Sequence, residues 1–458
     1  MHWRRSVDLP YKDTQSIHNA LYIEHNIQRI ITQQEINGVH FNKTKARFLL
    51  YVLRERRYKL FRKIRPHLSL QLEVPYNKPV LKPFLKTGGY TASVKRWYDE
   101  PGQLSNVSGP FTRVTYVEPD FSKRGKLITQ LLSLGWRPTQ RTEKGNPKLI
   151  IEGQPCPSLS TISSSIGRQI GEWYVLRHRE GQIISLLGLV REDNRISAEA
   201  ITIGTPTYRF RHKGLVNIPR LGTLFGRQMR SLFDVKDRTR RLVGYDASQL
   251  ELRMLAHYIN DEEYTKEVNS GDIHTRNQKD AGLATRDEAK TFIYAFNYGA
   301  GDRKIGSIVG GSQRKGKLIR QAFLEKNPKL RELITNSQSA AKRGYLVGLD
   351  GRKLHLRRDP VTREIQTHKA LNTLLQSGGA VVMKWTMVLL DSWLRQYKLD
   401  TMKVIDMHDE GQQDTLLRDA QMVGRLACMA ITEVGRLLKL NIPLTADYKV
   451  GTNWSHTH

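Results

Sequence analysis

The chain has 458 residues, 39% of them apolar, and carries 74 lysines and arginines against 44 acids, a net charge of +30. That length supports a well-buried core and several subdomains, and so large a positive excess points to a polyanionic partner, nucleic acid ahead of an acidic membrane surface. No run of roughly 18 or more apolar residues is present, so no membrane span is expected.

In chain order, the start Met1-His2-Trp3-Arg4-Arg5 has no apolar stretch behind it, so no signal peptide is expected. The pattern then predicts two helices within residues 14–66, the first stopped at Gly38 and the second capped by Asn42. The second carries Arg54, Arg56, Arg57, Lys59, Arg62, Lys63 and Arg65. That is either a solvated face or a surface that tracks a phosphate backbone. Over residues 68–115, Pro75, Pro79, Pro83, Gly88, Gly89, Pro101, Gly102 and Pro110 break any periodicity, which predicts an irregular insert. Residues 118–200 return to helices with short strands. Cys156 and Cys428 make neither a disulfide framework nor a zinc site, and the expected compartment is a reducing cytoplasm.

From residue 201 the pattern carries chemistry. Arg241 to Asp246 reads as a short buried strand that turns at Ala247 or Ser248 into a helix bearing Leu250, Met254, Leu255 and Tyr258. Asp246 then sits at a strand-to-helix corner. Arg286 to Gly299 has no breaker until its end, and steps of four drift only about 40° on a helix. Arg286, Lys290 and Tyr294 therefore share a stripe, with Tyr298 at its edge. Two cations on one face can hold a triphosphate, and tyrosines can meet a sugar and a base. The other reading of this helix has its charges in solvent and Tyr294 in the core. Val404 to Gln413 reads as a hairpin with Asp409 and Glu410 at its tip. A tip acid beside a strand-end acid can hold two divalent ions, and Mg²⁺ suits such a site because it keeps places open for substrate phosphates. The alternative makes Asp246 a cap and Asp409 a turn residue.

These words, in this order, resemble DNA polymerase family A, and most closely its phage branch of replicative polymerases that recruit host thioredoxin. The resemblance rests on Asp246-Ala247-Ser248 with Leu250-Glu251-Leu252-Arg253, on Gly271-Asp272-Ile273-His274-Thr275, and on Arg286 to Gly301. It rests further on Gly348-Leu349-Asp350-Gly351-Arg352-Lys353, Leu371-Asn372-Thr373-Leu374-Leu375-Gln376-Ser377 and Met407-His408-Asp409-Glu410. It is strong over residues 204–458 and weaker over 18–66 and 112–200. It implies an α+β, multidomain, right-hand polymerase with an antiparallel palm sheet, helical fingers and a helical thumb. The thumb and N-terminal polymerase region would span residues 1–200, the palm 201–258 and 376–458, and the fingers 259–375.

By the same resemblance the reaction is template-directed attack of a primer 3′-hydroxyl on a dNTP. Asp246, Asp409 and the Ala247 carbonyl would hold two Mg²⁺ ions, with Glu410 beside them. Lys290, Arg286 and His274 would hold the triphosphate, with Lys290 also catalytic. Tyr294 would lie over the sugar, Tyr298 near the templating base, and Glu251 under the sugar as a gate against a 2′-hydroxyl. Arg220, Arg253, Arg352, Asn372, Gln376 and His408 would contact primer–template DNA. Trp454 and the final His458 also look like the phage branch. Such a chain, if phage-encoded, would work in the host cytoplasm.

The chain departs from the family pattern in three places. Thr207-Tyr208-Arg209 stands where the family has Thr-Gly-Arg, and Lys213-Gly214-Leu215 where it has Pro-Asn-Leu. No acidic 3′→5′ exonuclease motif precedes the thumb, so proofreading is expected to be absent or supplied by a separate exonuclease. The insert falls where the phage branch has its thioredoxin-binding loop, and is a place for a thioredoxin-like processivity factor, a DNA contact or a passive loop. A single-subunit RNA polymerase and a non-catalytic DNA-binding descendant are the other readings. Glu251 argues against the first, and the intact Asp246, Lys290 and Asp409 against the second.

Overall fold

The computed structural model describes residues 16–458 apart from 74–78, 99–107, 113–114, 143–144, 163–164 and 216. The start Met1 to Arg5, the predicted helix positions Thr14 and Gln15, and Pro75, Pro101 and Gly102 of the insert lie outside the described residues. The chain divides into two compact units. Residues 44–185 with 222–226 form the smaller, and the segments up to 43, 186–221 and 227–458 form the larger.

The two helices expected near the start are present. Helix α1, Ser16–Asn37, ends where Gly38 adopts a φ of +57°, a left-handed conformation that a residue without Cβ adopts at little strain. Helix α2, Lys43–Ile64, starts directly after Asn42, and α3 spans Ile166–Gly188. In the smaller unit α2 and α3 contribute Ile64, Ile170 and Trp173 to a core completed by Leu127, Leu131, Trp136 and Leu159. The insert is less irregular than its prolines and glycines suggest. Gln71–Glu73 pairs antiparallel with Thr115–Val117, and a short helix covers Ala92–Tyr98. The β-favouring Thr115, Tyr116 and Val117 close the insert at its base, so the breakers stand inside a tied loop.

The larger unit is built on one four-stranded antiparallel sheet. Strand β1, Arg240–Ala247, lies inside it and is followed by helices α4 (Leu250–Ile259), α5 (Ile273–Ala281) and α6 (Arg286–Asn297). After helix α7 (Ala370–Gln396) come β2 (Thr401–Met407), β3 (Glu410–Leu416), α8 (Ala420–Leu437) and β4 (Ala446–Gly451). The sheet order is β2-β3-β1-β4. Leu242, Val243 and Tyr245 of β1 are buried, as the apolar run predicted. Helix α8 buries Val423, Ala427, Ala430 and Val434, one stripe at helical spacing. The stretch Thr367–Gln396, which includes α7, is long and apolar enough to cross a membrane by composition, but 89% of that apolar window is buried inside the protein. It is the core helix of this unit.

Candidate active site

The carboxylates gather on the sheet. Asp246 on β1 stands opposite Glu410 on β3 and, on its other side, opposite Asp447 on β4. Like charges directly across a ladder destabilise it unless a cation intervenes. Asp409 reaches the same place from the two-residue turn between β2 and β3, where its carbonyl accepts the Ala247 N–H at 3.1 Å. The first residue of that turn, His408, has a φ of +60°, a position that ordinarily favours glycine. Its ring meets His212 edge-on at 5.2 Å. Glu410 is not at the tip as expected. It is a buried strand residue, because the turn closes one residue earlier, on the Met407–Glu410 pair.

The three acids are treated differently by their surroundings. Burial, then Asp409 and Glu410, pushes the Asp246 carboxyl up to about 7, although its side chain still opens to solvent. Burial also raises Asp409. Burial would raise Glu410 too, but hydrogen bonding from His458, with help from Arg230 and the Trp454 indole, holds it below the usual carboxylate range. The Trp454 N–H donates to Glu410 at 2.5 Å, the Gln412 amide at 2.8 Å, and His458 Nδ1 lies 2.7 Å away. The C-terminal segment reaches Glu410 by crossing β1 at Gly244, where an added Cβ would stand 2.2 Å from the Thr457 carbonyl. Among the described residues no three His, Cys, Asp or Glu side chains close around a point as a metal cage. Two raised carboxylates, open to solvent and in no ion pair among the described residues, are nevertheless a donor set suited to a hard divalent ion that brings other ligands with it.

Helix α6 faces this row. Thr285 and Glu288 form a capping box at its start, so Arg286 and Lys290 fall on its first turns and both are exposed. Tyr294 is half-buried at the edge of the core, rather than inside it or fully free. The His274 ring on α5 lies 6.3 Å from the Tyr294 ring. Burial lowers the His274 pKa, and Arg286 and Lys290 lower it further. Burial raises the Tyr294 phenol, and Glu251, Asp409 and Asp246 add to that. Cations, imidazole, phenol and carboxylates therefore share one electrostatic neighbourhood.

Glu251 links the two sides. It accepts a hydrogen bond from the Tyr298 hydroxyl, at the end of α6, and another from Arg209 at 2.9 Å. Sequence reasoning left Arg209 without a role because its neighbour Tyr208 replaces the expected glycine. Tyr208 adopts a φ of +59°, so the turn survives the substitution, and its ring lies under the Arg352 guanidinium at 4.5 Å.

Two of the residues expected to contact DNA are buried and held by the protein itself. Arg352 is 6% exposed, and its donors meet Glu24 at 2.6 Å and Asp350 at 2.6 Å. Lys384 of α7 donates to both oxygens of the same Glu24, at 2.7 Å each. Arg253 is 5% exposed and bridges the Ser248 carbonyl, Asn269 and the Pro443 carbonyl. Both guanidiniums are anchored by acceptors of the protein itself. Asn372 and Gln376 lie at the start of α7, partly exposed, and Gln376 accepts from Thr207 at 3.4 Å. Arg220 is exposed. The Glu410 clamp of Trp454 and His458 was missed; the only signal was the resemblance of the chain's last residues to the phage branch.

A sheet with open carboxylates, faced by a capped helix with two cations and a tyrosine, defines a nucleotidyltransferase of the polymerase class. Residues 133–456 match the family model for DNA polymerase family A. The DNA-directed DNA polymerase of Escherichia phage Phieco32 is 31% identical, over 95% of this chain and 98% of its own length. That of Escherichia phage T7 is 35% identical, over 96% of this chain and 70% of its own. The polymerase domain of Pol1 from M. smegmatis, solved with DNA primer-template and dNTP, superposes with a TM-score of 0.69 at 19% identity, over 94% of this chain and 70% of that one. The chain belongs to DNA polymerase family A, and its enzyme class is DNA-directed DNA polymerase.

Proposed function

We propose that the chain extends a primer 3′-hydroxyl with dNTPs in phage-type replication. The observation that carries this is the pair Asp246 and Asp409, brought together from a strand end and a hairpin turn with their carboxyls raised and open. Asp246, Asp409 and the Ala247 carbonyl are the groups that would hold two Mg²⁺ ions, which when bound activate the attacking oxygen and stabilise the leaving one. The chain's own residues do the rest. Arg286, Lys290 and His274 bind the triphosphate from α6 and α5, and Tyr294 lies over the sugar. Glu251, fixed by Arg209 and Tyr298, fills the space that a ribose 2′-hydroxyl needs. Glu410, locked by Trp454, Gln412 and His458, keeps the β3 side of the row rigid. Catalysis on this reading is positioning plus electrostatic stabilisation.

In this reading residues 201–258 and 376–458 act as palm and 259–375 as fingers. The insert, tied at its base, is a place for a processivity partner, a DNA contact or a passive loop, and a phage-encoded chain would act in the host cytoplasm. The reading assigns the chain no 3′→5′ exonuclease. A primer-extension assay beside a DNA-binding assay tests the proposal: Asp246→Asn and Asp409→Asn should each remove extension and leave primer–template binding in place. Near-normal extension by either variant overturns it.

A further inference from the structure

The polymerase site leaves one part of the basic sequence unexplained. Along α2, Arg47, Tyr51, Arg54 and Tyr58 recur at steps of four and three, so they fall on one face. All four are exposed, and the two tyrosines are 62% and 58% accessible. Rings this open contribute little to the core of the smaller unit. At the Tyr58 end the stripe runs into a cleft of about 610 Å³ between α2, α3 and the Pro119–Ser122 loop. Phe121 stands edge-on between Phe61 at 5.2 Å and Trp173 at 5.0 Å, which makes an aromatic wall. Arg177 lies 5.7 Å from the Trp173 ring and is exposed at the rim. Of the acids nearby, Glu55 is exposed beside the stripe, and Glu180 and Asp120 are engaged. Glu180 is held by Arg57 at 2.5 Å, and Asp120 accepts from the Ser122 N–H and hydroxyl at 2.7 Å each.

We infer that this face of the smaller unit binds single-stranded nucleic acid. Arginines alternating with open rings on one helix supply both things an unpaired strand offers, a phosphate at each step and a bare base face. A duplex fits less well, because its base faces are covered by their neighbours and the tyrosines would have nothing to stack on. The cleft is of the size that small-molecule sites have, so it can take a base but not a helix. Phosphates on Arg47 and Arg54 would place successive bases over Tyr51 and Tyr58, with the strand entering the cleft past Arg177.

The test uses the full chain saturated with unlabelled primer–template, so that the polymerase centre is filled. Fluorescence anisotropy then follows a short labelled oligo(dT). The Tyr51→Ala, Tyr58→Ala double variant should bind it about 10- to 100-fold more weakly, in the range that base–ring stacking supports. Tyr51→Phe with Tyr58→Phe should bind almost as the parent does, because stacking needs the ring and not the hydroxyl. Arg54→Ala should lower the slope of log affinity against log salt by about 0.7, one phosphate on a single strand. Binding of a labelled blunt duplex, and extension of a short recessed primer, should be unchanged in all three. Oligo(dT) affinity in the alanine pair equal to the parent's overturns the inference. So does an equal loss for oligo(dT) and duplex, which would make the face a duplex contact. Neither result touches the roles of Asp246 and Asp409, since primer extension is read separately.

Discussion

Two clusters of charge in the larger unit behave in opposite ways. In one, Glu24, Asp350, Arg352 and Lys384 are all enclosed, and each acid meets a cation at 2.6 or 2.7 Å. In the other, Asp246 faces Glu410 and Asp447 across the sheet with Asp409 beside it, and its carboxyl is displaced far from its ordinary value. The first cluster is complete as it stands. The second is not, since it places like charges together where a protein concerned only with stability would separate them. A compensated buried charge marks framework; an uncompensated one open to solvent marks where something else must bind.

The largest effect that separates the clusters is on activity. Asp246→Asn should reduce extension by about 10³-fold or more, since on the proposed reading the metal ions it would hold supply several kcal/mol of transition-state stabilisation. Its thermal unfolding midpoint should hold or rise, since one of several crowded charges is gone. A variant that loses stability and keeps activity would merge the two clusters into one kind.

The converse change belongs to the other cluster. Glu24→Ala leaves Lys384 and Arg352 buried with one acid between them, and breaking such a group costs about 3–5 kcal/mol. Urea unfolding followed by fluorescence reads this directly, and a shift below about 1 kcal/mol would mean that water already serves the site.

A smaller effect concerns the helix facing the acids. If Tyr294 lies over the sugar as proposed, its hydroxyl can replace a missing 3′-hydroxyl, and the parent should accept dideoxynucleotides. Tyr294→Phe should reject them by at least about 10-fold, equivalent to about 1.4 kcal/mol. Competition between ddNTP and dNTP in primer extension checks it, and equal selectivity in both proteins would remove Tyr294 from the sugar.

The smallest effect is a slope. Asp246 titrates at about 7 in the folded chain against an ordinary 3.8. The folded state therefore keeps a proton that the unfolded chain has released. Its contribution is full below the unfolded value and is lost as pH rises through about 7. In EDTA, stability of the parent should fall from about pH 4 to about pH 7 relative to Asp246→Asn. Parallel curves would show that solvent at the carboxylate cancels the effect.

Much of the site was legible because its parts are local. The strand ending at Asp246, the helix bearing Arg286 and Lys290, and the hairpin around Asp409 each follow from periodicity within a dozen or so residues. Other features depend on partners far away in sequence, where pattern carries no distance. Arg352 and Arg253 look like any other basic residues until Glu24 and Pro443 enclose them. Glu410 looked like a tip acid because a one-residue change in where a turn closes moves a side chain from solvent to core. Arg209 was obscured by Tyr208, whose left-handed backbone no propensity rule would assign to tyrosine. The pairing that ties the insert is likewise long-range, and only the breakers inside it were visible beforehand.

The sheet order carries a consequence for how the molecule comes into being. Strand β1 is bordered by β3 and β4, yet everything from Ser248 to Asp409 is synthesised before the first of them exists. During that interval an apolar strand leaves the ribosome with both edges unpaired, a state prone to wrong association. Closing a loop of that size is also entropically slow, so this sheet belongs to the late steps of folding. A nascent chain released before residue 410 would have the helix that bears Arg286 and Lys290 and no floor beneath it. The reactive centre thus cannot form until β3 and β4 have followed β1 out of the ribosome.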